Sequence, residues 1–143
     1  MVYLIGVNHV VQFGMPSRPT NSKIIREKRA SFKAHVLEII EKLNITILAE
    51  EFSDEAKKIW DVSETTLEHF GKTKRIEHRF CTPGREEIWL SEIEDCKKKN
   101  MLFVCDSDHL ESFCKKLTAV GFDVELAPKS WSISEAEFFF SDP

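Results

Sequence analysis

Three short apolar runs constrain this chain more than any other feature: VYLIGV (2–7), ITILA (45–49) and MLFVC (101–105). Each is uncharged and rich in β-branched, aliphatic or aromatic residues. Each is also too short for a core helix, so each reads as a strand buried on both faces. Strands without polar alternation belong to parallel sheets, whose two faces are covered by crossover helices. The segments between the runs supply those helices. A loop over residues 10–21, carrying Gly14, Pro16 and Pro19, is longer than the usual strand-to-helix connection of roughly 2–6 residues. Asn21 or Ser22 then caps a helix reaching residue 43, with Ile24, Ile25, Phe32, Val36, Ile39, Ile40 and Leu43 as its apolar stripe. Lys23, Arg26, Lys28, Arg29 and Lys33 read as its solvated face.

Ser53 and Ser63 cap two shorter helices, the second halted by Gly71. KRIEHRFC (74–81) alternates and reads as a third strand nearer a sheet edge. Helices over residues 85–98 and 109–120 follow, the latter stopped at Gly121, and FDVELA (122–127) reads as a fifth strand. The order β-α-β-α-α-β-α-β-α-β predicts an α/β fold: a single domain over residues 1–127, Rossmann-like and doubly wound. It has a mainly parallel five-stranded sheet and helices on both faces. Right-handed crossovers favour the strand order 3-2-1-4-5, with 2-1-3-4-5 as the alternative. Residues 128–143 form an aromatic tail containing Trp131, Phe138, Phe139 and Phe140. Aromatics are costly to leave in water, so the tail is expected to pack on the domain or to join two copies into a homo-oligomer.

Composition excludes some functions. A chain of 143 residues with 42% apolar content is one ordinary globular domain. A formal charge of −4 leaves no basic footprint and argues against duplex nucleic acid as partner. No run approaches the ~20 apolar residues that span a bilayer. No charged leader precedes the first strand, and a cytoplasmic location is the expectation. Cys81, Cys96, Cys105 and Cys114 form no CxxC and have no histidine at a zinc-finger offset, so they read as reduced, mostly buried thiols.

Chemistry collects where the strands end. In an open parallel sheet the carboxyl ends share one edge, and ligands bind there. The first strand delivers Asn8 and His9, with Gln12 just beyond. The second delivers Glu50 and Glu51, and the fourth delivers Asp106, Asp108 and His109. Gly6 marks a point of close backbone approach. Imidazole and carboxylate groups can hold a divalent cation, here manganese, zinc or cobalt, that acidifies a bound water. Alternatively, a histidine held by a carboxylate can act on water directly. His9, Glu50 and His109 are the candidate catalytic residues and metal ligands, with Glu51, Asp106 and Asp108 in support. Asn8 and Gln12 would face substrate. Arg85, after the turn of Thr82, Pro83 and Gly84, could clamp an anion or stabilise developing charge. Structural roles compete with each of these: glutamates favour helix starts, and aspartates cap. His35 and His78 read as packed, and His69 as solvated. No GxGxxG, GxxxxGK[ST] or GxSxG motif is present.

Gly6-Val7-Asn8-His9, the long helix after it, a strand ending in an acid (ITILAEE), and the late Asp106-Ser107-Asp108-His109 together resemble the TraB/Tiki-like superfamily. That group also includes the haem-associated ChaN lipoproteins and the erythromycin esterases. Its members share a GxxH after the first strand, a glutamate after the second and a second GxxH-like motif late in the domain. Glu50 or Glu51 stands at the glutamate, Asp106 replaces the second glycine, and Arg85 stands where the family uses an arginine. The resemblance implies a hydrolase-like site, with water activated by a divalent metal or directly by histidine; it does not choose the substrate, and a small molecule or a peptide is the expectation. Two other readings stand beside it. One is a non-catalytic nucleotide or small-ligand module using Asn8, Gln12, Arg85 and helix N-termini. The other is a PIN-like nuclease holding magnesium with Glu50, Asp106 and Asp108, in which both histidines are dispensable.

Overall fold

The computed structural model describes residues 1–16 and 22–134. The chain runs β1 (Val2–Val7), α1 (His9–Gln12), β2 (Phe13–Pro16), α2 (Lys23–Lys42), β3 (Ile47–Glu51), α3 (Asp54–Ile59) and β4 (Val62–Thr65). It continues through α4 (Thr66–Lys74), β5 (Glu77–Cys81), α5 (Glu86–Glu92), β6 (Met101–Asp106), α6 (Leu110–Ala119) and β7 (Val124–Leu126). Single 3₁₀ turns at Glu94–Cys96 and Ser107–His109 follow α5 and precede α6.

Five strands form one parallel sheet in the spatial order β5-β3-β6-β1-β7. The parallel five-stranded α/β architecture is as the apolar runs predict. The order is not: numbering only these five strands along the chain gives 3-2-4-1-5, not 3-2-1-4-5 or 2-1-3-4-5. Apolar character marks the edges but does not rank the inner strands, since β1, β3 and β6 are all buried along nearly their whole length. In β6, Met101 to Cys105 are all buried, and the strand pairs on both sides, with Met101 opposite both Val2 and Ile47. β5 and β7, which carry exposed glutamates, take the edges.

Strand alternation divides the core between two faces. Tyr3, Ile5, Leu48, Leu102 and Val104 pack with Phe32, Val36 and Ile39 of α2 and Leu67 and Phe70 of α4. Val2, Leu4, Ala49, Met101 and Phe103 pack on the other side, against Trp89 of α5 and Phe113 and Leu117 of α6. Gly6 sits where the turn after β6 crosses β1: a Cβ there would lie 3.2 Å from Ser107 Cα and from Leu110 Cδ2.

Several local boundaries differ from expectation. The first part of the expected loop folds as α1 and as β2, which pairs antiparallel with β4. Ser63 does not cap a helix. It lies in β4, and Thr65 caps α4 through a capping box with Glu68. Gly71 does not end α4, which closes instead on left-handed Arg75 (φ 56°). Gly71 admits Ile76 O and His78 Cβ at 3.2 and 3.1 Å from the position of an added Cβ. Beyond β7 the chain returns to the sheet. Trp131 N donates to Gly6 O and Asn8 N donates to Trp131 O, and the indole packs at 4.9 Å from the His35 ring. Phe138, Phe139 and Phe140 lie outside the described residues. Among the described residues, no helix is long and apolar enough to cross a membrane.

Candidate functional site

The carboxyl ends of β1, β3 and β6 meet at one rim, joined there by the turn after β5. Glu51, the last residue of β3, is its centre. Its side chain is only 3% exposed, and its oxygens accept from Asp106 N (2.9 Å) and Gly84 N (2.6 Å). Two imidazoles face this carboxylate. His9 Nε2 lies 3.9 Å from Oε1, and His109 Nε2 lies 4.0 Å from Oε2. Asp106 Oδ2 completes the group, 3.7 Å from His9 Nε2.

Each imidazole is held by its other nitrogen. His9 Nδ1 lies 2.6 Å from Gln12 Oε1. The Gln12 amide is oriented in turn, because its NH₂ donates to Glu50 Oε1 at 2.9 Å. With the amide oxygen towards His9, Nδ1 must be the protonated nitrogen, and Nε2 presents its lone pair to the rim when the ring is neutral. His109 Nδ1 lies 2.6 Å from Glu86 Oε2, while Glu86 Oε1 accepts from Ser112 Oγ at 2.8 Å and pairs with Lys116 Nζ at 3.3 Å. Burial pushes the Glu86 carboxyl up, but hydrogen bonds from His109, Ser112 and Lys116 outweigh it and leave the group below the usual carboxylate range. The same bond, donated to Glu86, raises His109 above the ordinary histidine value against the opposing effect of burial, with Glu51 and Asp106 adding to it. The edge of Trp89 packs against the His109 ring at 5.3 Å and that of Phe52 against His9 at 6.2 Å, which leaves each ring little freedom to turn.

Glu50 has a different place. Adjacent strand residues point to opposite faces, so Glu50 lies on the α2 and α4 side while Glu51 faces His109. Glu50 is fully buried and accepts from Gln12, from Thr65 Oγ1 at 2.6 Å and from His78 Nε2 at 2.5 Å. It reaches the rim only through Gln12 and His9. The structure therefore brings together His9, Glu51, Asp106 and His109, and sets Glu50 behind them. Asn8 caps α1 through Val10 N. Asp108 is exposed, its amide bonded to Asp106 Oδ1. Arg85 is exposed beside Gly84 at the start of α5, with no side-chain capping bond. Among the described residues, no group of three or more His, Cys, Asp or Glu is arranged to hold a metal ion.

Glu86, Thr65 and His78 are absent from the candidates drawn from sequence. Glu86 is separated from His109 by all of β6, and no local pattern joins them. The Thr65-x-x-Glu68 spacing was a readable signal for the cap, though not for the bond to Glu50. Ser107 Oγ, beside Gly6, is the one buried side-chain N or O atom without a hydrogen-bond partner among the described residues.

The site's polar groups form a run across the sheet edge: His78, Glu50, Gln12 and His9 from one face, then Glu51, His109 and Glu86 on the other. It offers one imidazole lone pair, one imidazole that readily carries a proton, and a fixed carboxylate between them. No protein-family model, curated protein or solved structure matches the chain.

Proposed function

We propose that this rim is a hydrolytic site of the TraB/Tiki-like type in which His9 activates a water directly and His109 supplies a proton. The observation that carries this reading is the pair of Nε2 atoms facing Glu51 at 3.9 and 4.0 Å, each with its Nδ1 already committed. These separations exceed a hydrogen bond and suit polar groups that share a water. His9 Nε2 takes the proton as water attacks, and Glu51 and Asp106 stabilise the imidazolium that forms. His109, kept basic by Glu86, holds a proton for the leaving group or the developing oxyanion. Of the two glutamates that the resemblance allows, Glu51 is the one beside the histidines.

Negative charge from Glu51 and Asp106 disfavours an anionic reacting centre, so an uncharged ester or amide is the substrate class. Arg85 would take a carboxylate on a more distant part of it. The nuclease reading has less support, because Glu50 is bonded by Gln12, Thr65 and His78.

The test is a screen of aryl esters, peptides and phosphodiesters with the wild type, His9→Ala and His109→Ala, with metal analysis alongside. Loss of His9 should lower kcat/KM on an ester or peptide by roughly 100- to 10,000-fold. Turnover that survives both substitutions would refute the assignment. Stoichiometric zinc, manganese or cobalt, lost in His9→Ala, would replace direct activation by a metal-bound water.

A further inference from the structure

A second recess lies between α2, β2 and α4. It has a volume of about 170 Å³ and is lined by Phe13, Gly14, Arg29, Lys33, Thr66 and His69. Its lining carries up to three positive charges and no carboxylate.

Arg29 is the telling residue. Its Nε donates to Val10 O at 2.7 Å, and its guanidinium carbon lies 5.4 Å from the centroid of the Phe13 ring. The side chain is partly buried, and no carboxylate among the described residues forms an ion pair with it. Burial accordingly lowers its pKa with nothing acting against it. Glu64, the acid that contacts His69, is shared by His69 Nδ1 at 3.0 Å and Lys72 Nζ at 3.1 Å. Lys33, one turn along α2, is exposed. The bond to Val10 O and the Phe13 ring offset only part of the cost of desolvating this cation, and a bound anion would offset more. Guanidinium's planar fork matches carboxylate and phosphoryl oxygens in particular. The volume is below the roughly 300 Å³ of pockets that take drug-sized ligands, which limits the body of the ligand to about one ring.

We propose that this recess is a binding site for a small amphiphilic oxyanion: a single ring or short chain packed on Phe13, with a carboxylate or phosphoryl group held by Arg29 and Lys33. It is separate from the hydrolytic rim and does not depend on it. Phe13 connects the two, since its ring also packs edge-on against Phe52, which contacts His9.

Calorimetric titration of the full chain tests this, with benzoate and phenylphosphonate as probes, benzyl alcohol as the neutral control and inorganic phosphate as the bare anion. The tighter of the two aromatic anions should bind about 10-fold more strongly than benzyl alcohol, and inorganic phosphate more weakly than phenylphosphonate. Which anion wins tells carboxylate from phosphoryl recognition. Lys33→Gln, an exposed change that leaves folding intact, should weaken binding about 3-fold, and Arg29→Gln should abolish it. His9→Ala should leave it unchanged, which separates this site from the hydrolytic one. Anions that bind no better than benzyl alcohol, or as well to Lys33→Gln as to wild type, would overturn the proposal.

Discussion

Glu86 Oε2 and His109 Nδ1 are 2.6 Å apart, although all of β6 separates them in the chain. The contact ties the start of α5 to the turn before α6 and sets the ring that faces Glu51. Because it shifts both groups, it makes stability depend on pH. The histidine is raised above 6.5, so its contribution is complete below that pH and is lost as pH rises through the folded value. The carboxyl is lowered below 4.5, so its contribution is complete above that pH and is lost as pH falls through the folded value. The pair therefore stabilises most between these two limits. Glu86→Gln should lower the His109 titration midpoint, followed by the NMR shifts of its ring protons, and flatten the alkaline fall in melting temperature. Glu51 and Asp106 still act on the ring, so part of the shift should persist. An unchanged midpoint would mean that Glu86 does not govern the ring.

Glu50 should matter first for folding. Glu50→Ala leaves Gln12, Thr65 and His78 without their buried acceptor, a change that should cost roughly 3–5 kcal/mol by urea unfolding. Glu50→Gln should cost less, yet it lets the Gln12 amide turn and frees the His9 tautomer. Any hydrolysis should then fall more than stability does. A loss below ~1 kcal/mol in Glu50→Ala would contradict the bonding described.

Gly6→Ala probes the crossing of β1 by the turn after β6. The added methyl meets Ser107 and Leu110 at 3.2 Å, and overpacking of this kind should cost about 1–3 kcal/mol. Gly84→Ala makes a useful contrast: its Cβ meets nothing within 4 Å, but φ is +74°, so the penalty of roughly 1 kcal/mol would come from the backbone alone. Amide shifts around Leu110 should move in the first variant, whereas in the second the change should centre on Gly84 and its bond to Glu51.

The buried strands were legible because a short uncharged run flanked by turn residues has few other fates. Their order was not, since β1, β3 and β6 are equally apolar and buried, and connection rules leave more than one of them free to take the centre. The meeting of His9, Asp106 and His109 at one rim was likewise legible, because strand polarity alone brings them there. The choice between Glu50 and Glu51 was not. Neighbouring residues on a strand face opposite ways, and nothing local says which face will carry the second histidine. Glu86 was hidden for a different reason: its partner comes from another crossover helix, and only the assembled layer joins them. Residues 10–16 read as loop because Gly14 and Pro16 punctuate them, yet β4 offered a strand to pair with.

The placement of β1 between β6 and β7 has a consequence for how the molecule is made. Both neighbours of that strand, β6 (Met101–Asp106) and β7 (Val124–Leu126), lie far downstream, so during synthesis its backbone amides have no native partner until those strands have emerged. Pairings this distant in sequence are slow to form and leave an apolar edge exposed meanwhile. Val2 to Val7 should therefore be among the last amides to gain protection from hydrogen exchange as the protein refolds.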